Sequence, residues 1–194
     1  MMKWLAVILA TLLLAACGKL QPAAFHGVDI TGSDWGRDFA LLDHNSQPRR
    51  LADFRGKVVV LSFGYTRCPD ICPTTLSALA ETMKILGPEA DRVQVLFVTI
   101  DPERDTPELL AAFVPWFDAR FVGLWGDAVA TAALAKDFKV FYQKQETGSA
   151  AGYAMDHTAG NYVFDPQGRL RLFERHNETP SAVAGDLRRL LAGD

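Results

Sequence analysis

The chain has 194 residues, 49% hydrophobic and 22% charged, with a formal net charge of -3. That length suits one domain with a proper core, and the composition is that of a globular chain rather than a disordered one. An acidic chain with no Lys/Arg cluster lacks the electrostatic footprint of a nucleic-acid binder, so that class of partner is excluded.

The first segment reads as a targeting signal. Lys3 supplies a short positive region, and Trp4 to Ala16 is apolar except for Thr11. A helix of that length spans ~20 Å, short of the ~30 Å hydrocarbon core, which favours a signal peptide over a membrane span. The run ends in Leu14-Ala15-Ala16-Cys17, which resembles a bacterial lipobox. Residues 1–17 are therefore expected to be a signal peptide with Cys17 as the lipidated residue. Residues 18–24 form a tether, and 25–194 a single domain. The expected location is the bacterial cell envelope, lipid-anchored and facing the periplasm or exterior. With Cys17 committed to lipid, Cys68 and Cys72 remain as one close pair. A disulfide between them would close too small a loop to constrain the unfolded chain much, so stability alone explains the pair poorly.

From Phe25 onward strands and helices alternate. Phe39–His44 and Gln47–Phe54 predict an entry hairpin around Asn45-Ser46. The run Val58–Phe63 predicts a buried strand. Cys72, Leu76, Leu79, Met83 and Leu86 form one helical stripe, stopped at Gly87-Pro88. Arg92–Ile100 predicts a second buried strand. Thr106-Pro107 predicts a capped helix burying Leu109, Leu110, Phe113, Val114 and Phe117. Arg120–Trp125 follows as a strand and Asp127–Phe138 as a helix. The polar residues 144–151 are expected to be a loop. Tyr162–Asp165 and Arg169–Phe173 make a hairpin turned by Pro166-Gln167-Gly168, and Thr179-Pro180 opens a last helix. This order fits an α/β, thioredoxin-like fold with an N-terminal hairpin and insertions.

Both cysteines fall at the junction of a strand with a helix, in Phe63-Gly-Tyr-Thr-Arg-Cys68-Pro-Asp-Ile-Cys72-Pro73. At i and i+4 they share a helix face. A helix N-terminus lowers thiol pKa, and Arg67 is expected to push the same way. Asp101 and Asp105 follow the strand ending at Ile100, at the sheet edge that carries ligand sites in open α/β folds. They are read either as tuning the site or docking a partner, or, for Asp105, as capping the helix at Thr106.

These motifs carry a resemblance. The cysteine segment, Ile100-Asp-Pro-Glu-Arg-Asp-Thr-Pro107, Asp156-His157-Thr158 and Tyr162-Val-Phe-Asp-Pro-Gln-Gly168 together resemble the Sco/SenC family of copper-binding assembly factors for cytochrome c oxidase. Gly27–Trp35 looks like the family's entry segment. The resemblance covers nearly the whole mature chain and implies copper ligands at Cys68, Cys72 and His157. Two thiolates and an imidazole suit Cu(I), whereas zinc usually takes a fourth ligand; Cu(II) is a further expected state. The resemblance implies as partners the oxidase subunit carrying CuA, other copper chaperones and thiol reductants. An alternative use of the pair is a redox-active Cys68–Cys72 disulfide in a thiol–disulfide oxidoreductase. A thiol peroxidase is disfavoured, because Thr66 and Ser62 do not stand where its cysteine motif needs them. His26, His44 and His176 lack comparable context.

Overall fold

The computed structural model describes residues 24–149 and 152–194, so Cys17, the signal segment and most of the tether lie outside the described residues. An eight-stranded sheet runs in the order β1-β10-β9-β4-β5-β6-β2-β3. Its strands are β1 (Val28–Asp29), β2 (Ala40–Asp43), β3 (Pro48–Arg50), β4 (Val58–Gly64), β5 (Val93–Thr99), β6 (Val122–Trp125), β9 (Gly160–Phe164) and β10 (Leu170–Arg175). A separate two-stranded ribbon pairs β7 (Tyr142–Ser149) with β8 (Gly152–His157). Strands β4, β5 and β6 are parallel, and β9 joins β4 antiparallel, which gives the thioredoxin-like arrangement the element order predicts.

Helices α1 (Ile71–Leu86), α2 (Pro107–Phe113), α3 (Ala128–Asp137) and α4 (Pro180–Ala192) cover the sheet. Burial follows the expected stripes. Every residue of β4 and β5 is buried, and α1 sinks Cys72, Leu76, Leu79, Met83 and Leu86. One sheet face carries Phe97 against Phe113 of α2. The opposite face carries Phe63, Phe138 and Tyr162 in mutual contact below α3. Thr106, Asp127 and Thr179 each cap their helix by accepting a backbone N–H, as the sequence indicates.

Two expectations need correction. Leu109 is 43% exposed, so the packed face is Leu110 and Val114, buried, with Phe113 and Phe117 partly buried against the core. Residues 144–149, read as part of a loop, are strand: β7 pairs with β8 from Tyr142↔His157 to Ser149↔Gly152. The ribbon stands in water on both sides at Gln143–Thr147, so no apolar alternation marks it. Cross-strand pairing sets its conformation instead.

The far end of the core holds an unusual acidic pair. Glu174 on β10 is fully buried, and neither carboxylate oxygen meets a hydrogen-bond partner among the described residues. Burial first, then the charge of Asp186 on α4 and of Glu178, pushes its pKa up to about 8. Asp186 accepts the backbone N–H groups of His26 and Gly27, each at 2.8 Å. A folded pKa above the unfolded value means the associated stability is complete below about pH 4.5 and is lost as pH rises through about 8. Glu174→Gln keeps the shape, supplies an N–H toward Asp186 and cannot ionise. It is expected to gain on the order of a few kcal/mol at pH 8 and little at pH 4.5, read from melting curves. An equal gain at both pH values would show that ionisation of Glu174 is not the cause.

Candidate metal centre

Strand β4 delivers the cysteine segment to the start of α1. At its end the sheet must admit the helix closely: a Cβ on Gly64 would stand 2.7 Å from Cys72 Sγ and 2.7 Å from the Phe97 ring. Only glycine fits there without displacing the cysteine. The first turn of α1 has no side-chain cap from Asp70. The sulfur of Cys68 takes that place, accepting the Cys72 N–H at 3.4 Å.

The two thiols are therefore unequal. Cys72 is buried and Cys68 partly exposed. A hydrogen bond from the Cys72 thiol, opposed by burial and reinforced by His157 and the N–H groups of Asp70 and Cys72, brings the Cys68 pKa down to about 3. The same bond, then burial and the Cys68 charge, pushes Cys72 up. The pair thus holds one proton, with Cys68 the accessible thiolate.

His157 ends β8 and comes to the pair across 85 residues of sequence, its Nε2 3.8 Å from Cys72 Sγ. Its Nδ1 lies 2.9 Å from the Thr158 carbonyl. A carbonyl can only accept, so Nδ1 carries a proton, and Nε2 is the ring nitrogen that faces the sulfurs. A backbone carbonyl fixing one ring nitrogen while the other points at a donor cluster is the usual outer support of a metal-ligating histidine. The Tyr65 ring packs edge-on at 6.3 Å, and its hydroxyl oxygen accepts the Met155 N–H at 3.2 Å. Among the described residues, no three His, Cys, Asp or Glu side chains are already closed around a metal position. Cys68 and Cys72 share a hydrogen bond, and His157 lies beside Cys72.

The other named residues divide. Arg67 is exposed, and the influences that dominate Cys68 are its neighbouring thiol, His157 and backbone N–H groups rather than a guanidinium. Asp101 and Asp105 are 1% and 0% exposed, which overturns a docking role for either. Asp105 does not cap α2, since Thr106 caps itself. It turns inward and accepts from Thr66 N at 3.0 Å, Thr66 Oγ1 at 2.5 Å and Thr99 Oγ1 at 2.6 Å, tying the cysteine loop to β5. Its charge also helps raise Cys72. Asp101 holds Arg104 and Tyr153. Arg104, Tyr153 and Tyr65 are missed by the sequence reading, although Arg104 and Tyr65 lie inside the two motifs it singles out. The remaining histidines stand apart: His44 accepts the Gly123 N–H at 3.0 Å, His26 bonds Asp186 at 3.1 Å, and His176 is exposed.

Known proteins share this fold. The family model for SCO1/SenC matches residues 28–192. The mouse (Mus musculus) mitochondrial protein SCO2 homolog is 36% identical over 157 residues, 80% of this chain and 62% of its own length. The chain thus spans about three fifths of the length of the curated SCO2 homologs it matches. The solution structures of apo Sco1 from Thermus thermophilus are 41% identical with a TM-score of 0.77, covering 86% of this chain and 97% of that one. ScoI of Bradyrhizobium japonicum, solved with copper bound, is 35% identical with a TM-score of 0.72, covering 86% and 99%. With the family match extending over residues 28–192, the chain belongs to the SCO1/SenC family.

Proposed function

We propose that this protein is a copper metallochaperone that carries copper on Cys68, Cys72 and His157 and serves assembly of the CuA centre of cytochrome c oxidase. The observation that carries the reading is the placement of His157 Nε2, 3.8 Å from Cys72 Sγ, with its proton held on the far nitrogen. Two sulfurs and one imidazole make a donor set suited to Cu(I), a soft ion content with few ligands. The copper-bound relative supports copper as the cargo, and membership of the SCO1/SenC family, one member of which is described as a cytochrome c oxidase assembly protein, supports the oxidase as client. Lipidation at Cys17, after removal of residues 1–16, would hold the domain at the envelope surface.

Copper, once bound, draws both sulfurs into thiolate form, and the protein's own groups prepare for this unequally. Cys68 is already ionised at neutral pH, supported by the helix N-terminus. Cys72 keeps the shared proton and must release it as the ion closes the site. Reductants and other copper chaperones would act through the accessible Cys68.

The test is an anaerobic Cu(I) competition titration on the reduced chain beside Cys68→Ser, Cys72→Ser and His157→Ala. One ion per chain is expected, with binding lost in either cysteine variant and weakened on the order of 10–100-fold in the histidine variant. Tight binding indifferent to His157→Ala would remove the histidine from the ligand set. No binding at all would move the protein to thiol–disulfide exchange.

A further inference from the structure

His157 sits on an arm with little of its own to hold it. A two-stranded ribbon is marginally stable in water by itself. Side chains from Gln143 to Thr147 are exposed, so β7 contributes little grip on the body. The ion pair of Lys144 with Glu103 lies at the surface, where such pairs contribute little.

The grip comes from β8, where Met155 is buried in the core and donates its N–H to the Tyr65 hydroxyl, and where the polar contacts gather at Arg104. The Arg104 guanidinium donates from Nε to Asp101 Oδ2 at 2.5 Å and from Nη1 to the Tyr153 carbonyl at 2.8 Å. Its plane lies over the Tyr153 ring, 3.5 Å from the centroid. The Tyr153 hydroxyl closes the circuit by donating to Asp101 Oδ1 at 2.7 Å. Asp101 is fixed in turn by its own N–H on Thr99 Oγ1 at 3.0 Å. The arm is thus gripped by ring face, hydroxyl and backbone at one residue. The acid that anchors it is buried.

Tyr153 is four strand residues from His157, about 13 Å along the backbone, while Arg104 also stands 5.8 Å from the ring of Tyr65, which packs edge-on against His157. Resting on the copper-site reading above, we propose that Asp101 and Arg104 form a positioning clamp on Tyr153 that holds the β7–β8 arm so that His157 faces Cys68 and Cys72. Releasing the clamp withdraws one ligand of three and leaves the thiol pair in place. Lysine cannot replace Arg104, because the grip uses a planar group that donates in two directions while stacking.

The test compares Arg104→Gln, Tyr153→Phe and His157→Ala in the reduced full chain in detergent. Amide exchange is measured first, without metal. Arg104→Gln is expected to speed exchange at residues 153–157 about tenfold or more, and Tyr153→Phe about threefold, with α1, β4 and β5 unchanged. Cu(I) competition is measured next. Arg104→Gln is expected to weaken binding no more than His157→Ala does, and the double variant to bind like His157→Ala alone. Unchanged exchange in residues 153–157 overturns the clamp. So does accelerated exchange throughout the fold, or a double variant much weaker than His157→Ala. If His157→Ala itself leaves copper affinity intact, the ligand role of His157 fails, while the exchange measurement still decides whether Arg104 holds the arm.

Discussion

Oxidation of Cys68 and Cys72 to a disulfide is expected to lower Cu(I) affinity by on the order of 10³-fold or more, about 4 kcal/mol. The ion needs thiolates, and a disulfide offers none; only His157 would remain of the proposed ligands. The pair is set up for rapid oxidation. Cys68 is ionised and accessible, and the Cys72 thiol already faces it through a hydrogen bond. An envelope location favours the oxidised form, so the protein would need a reductant before it could load. Redox state would then act as a gate ahead of copper. Competition titrations on the oxidised and reduced chain, with thiols counted before and after, measure the effect directly. Equal affinity in the two states would dispose of the gate.

The second large effect is expected at Asp105. Alanine there leaves the Thr66 N–H and the Thr66 and Thr99 hydroxyls without the acceptor they share, in a place where Asp105 is wholly buried. Buried donors left unpaired cost about 1–3 kcal/mol each, so a loss on the order of 3–5 kcal/mol is expected in urea denaturation. Asp105→Asn keeps one acceptor oxygen and should lose less. Because the Asp105 charge helps hold the Cys72 proton, the asparagine variant should also ionise Cys72 at lower pH, visible in thiolate absorbance against pH. A stability loss under 1 kcal/mol in Asp105→Ala would show that the cysteine loop does not depend on this carboxylate.

What the sequence discloses and what it hides follow from range and burial. Val58–Phe63, Arg92–Ile100 and the Cys72–Leu86 stripe announce themselves because each is apolar in a pattern with one period. The cysteine pair is legible because four residues of helix decide its geometry. His157 is legible through its motif alone, since nothing local in Asp156-His157-Thr158 indicates that β8 delivers the ring to a helix start elsewhere. The β7–β8 arm is hidden because β7 is polar from Gln143 to Thr147 and its strands pair only with each other. The work of Asp101 is hidden for a related reason. Its charge is visible, but its partner Tyr153 lies 52 residues on, and its burial turns a surface role into an internal one.

One consequence follows from the direction of β1. That strand runs antiparallel to β10, which runs antiparallel to β9, which runs antiparallel to β4. The chain therefore enters the sheet at the end where β4 hands over to the cysteines. With an anchor at Cys17, residues 18–24 fully extended reach ~25 Å at most. Such a leash is too short to let the domain hang with that end outward. The face bearing Cys68 would be turned down toward the bilayer, and an acceptor fixed in the same membrane would meet it at close range, while one diffusing freely would find it shaded.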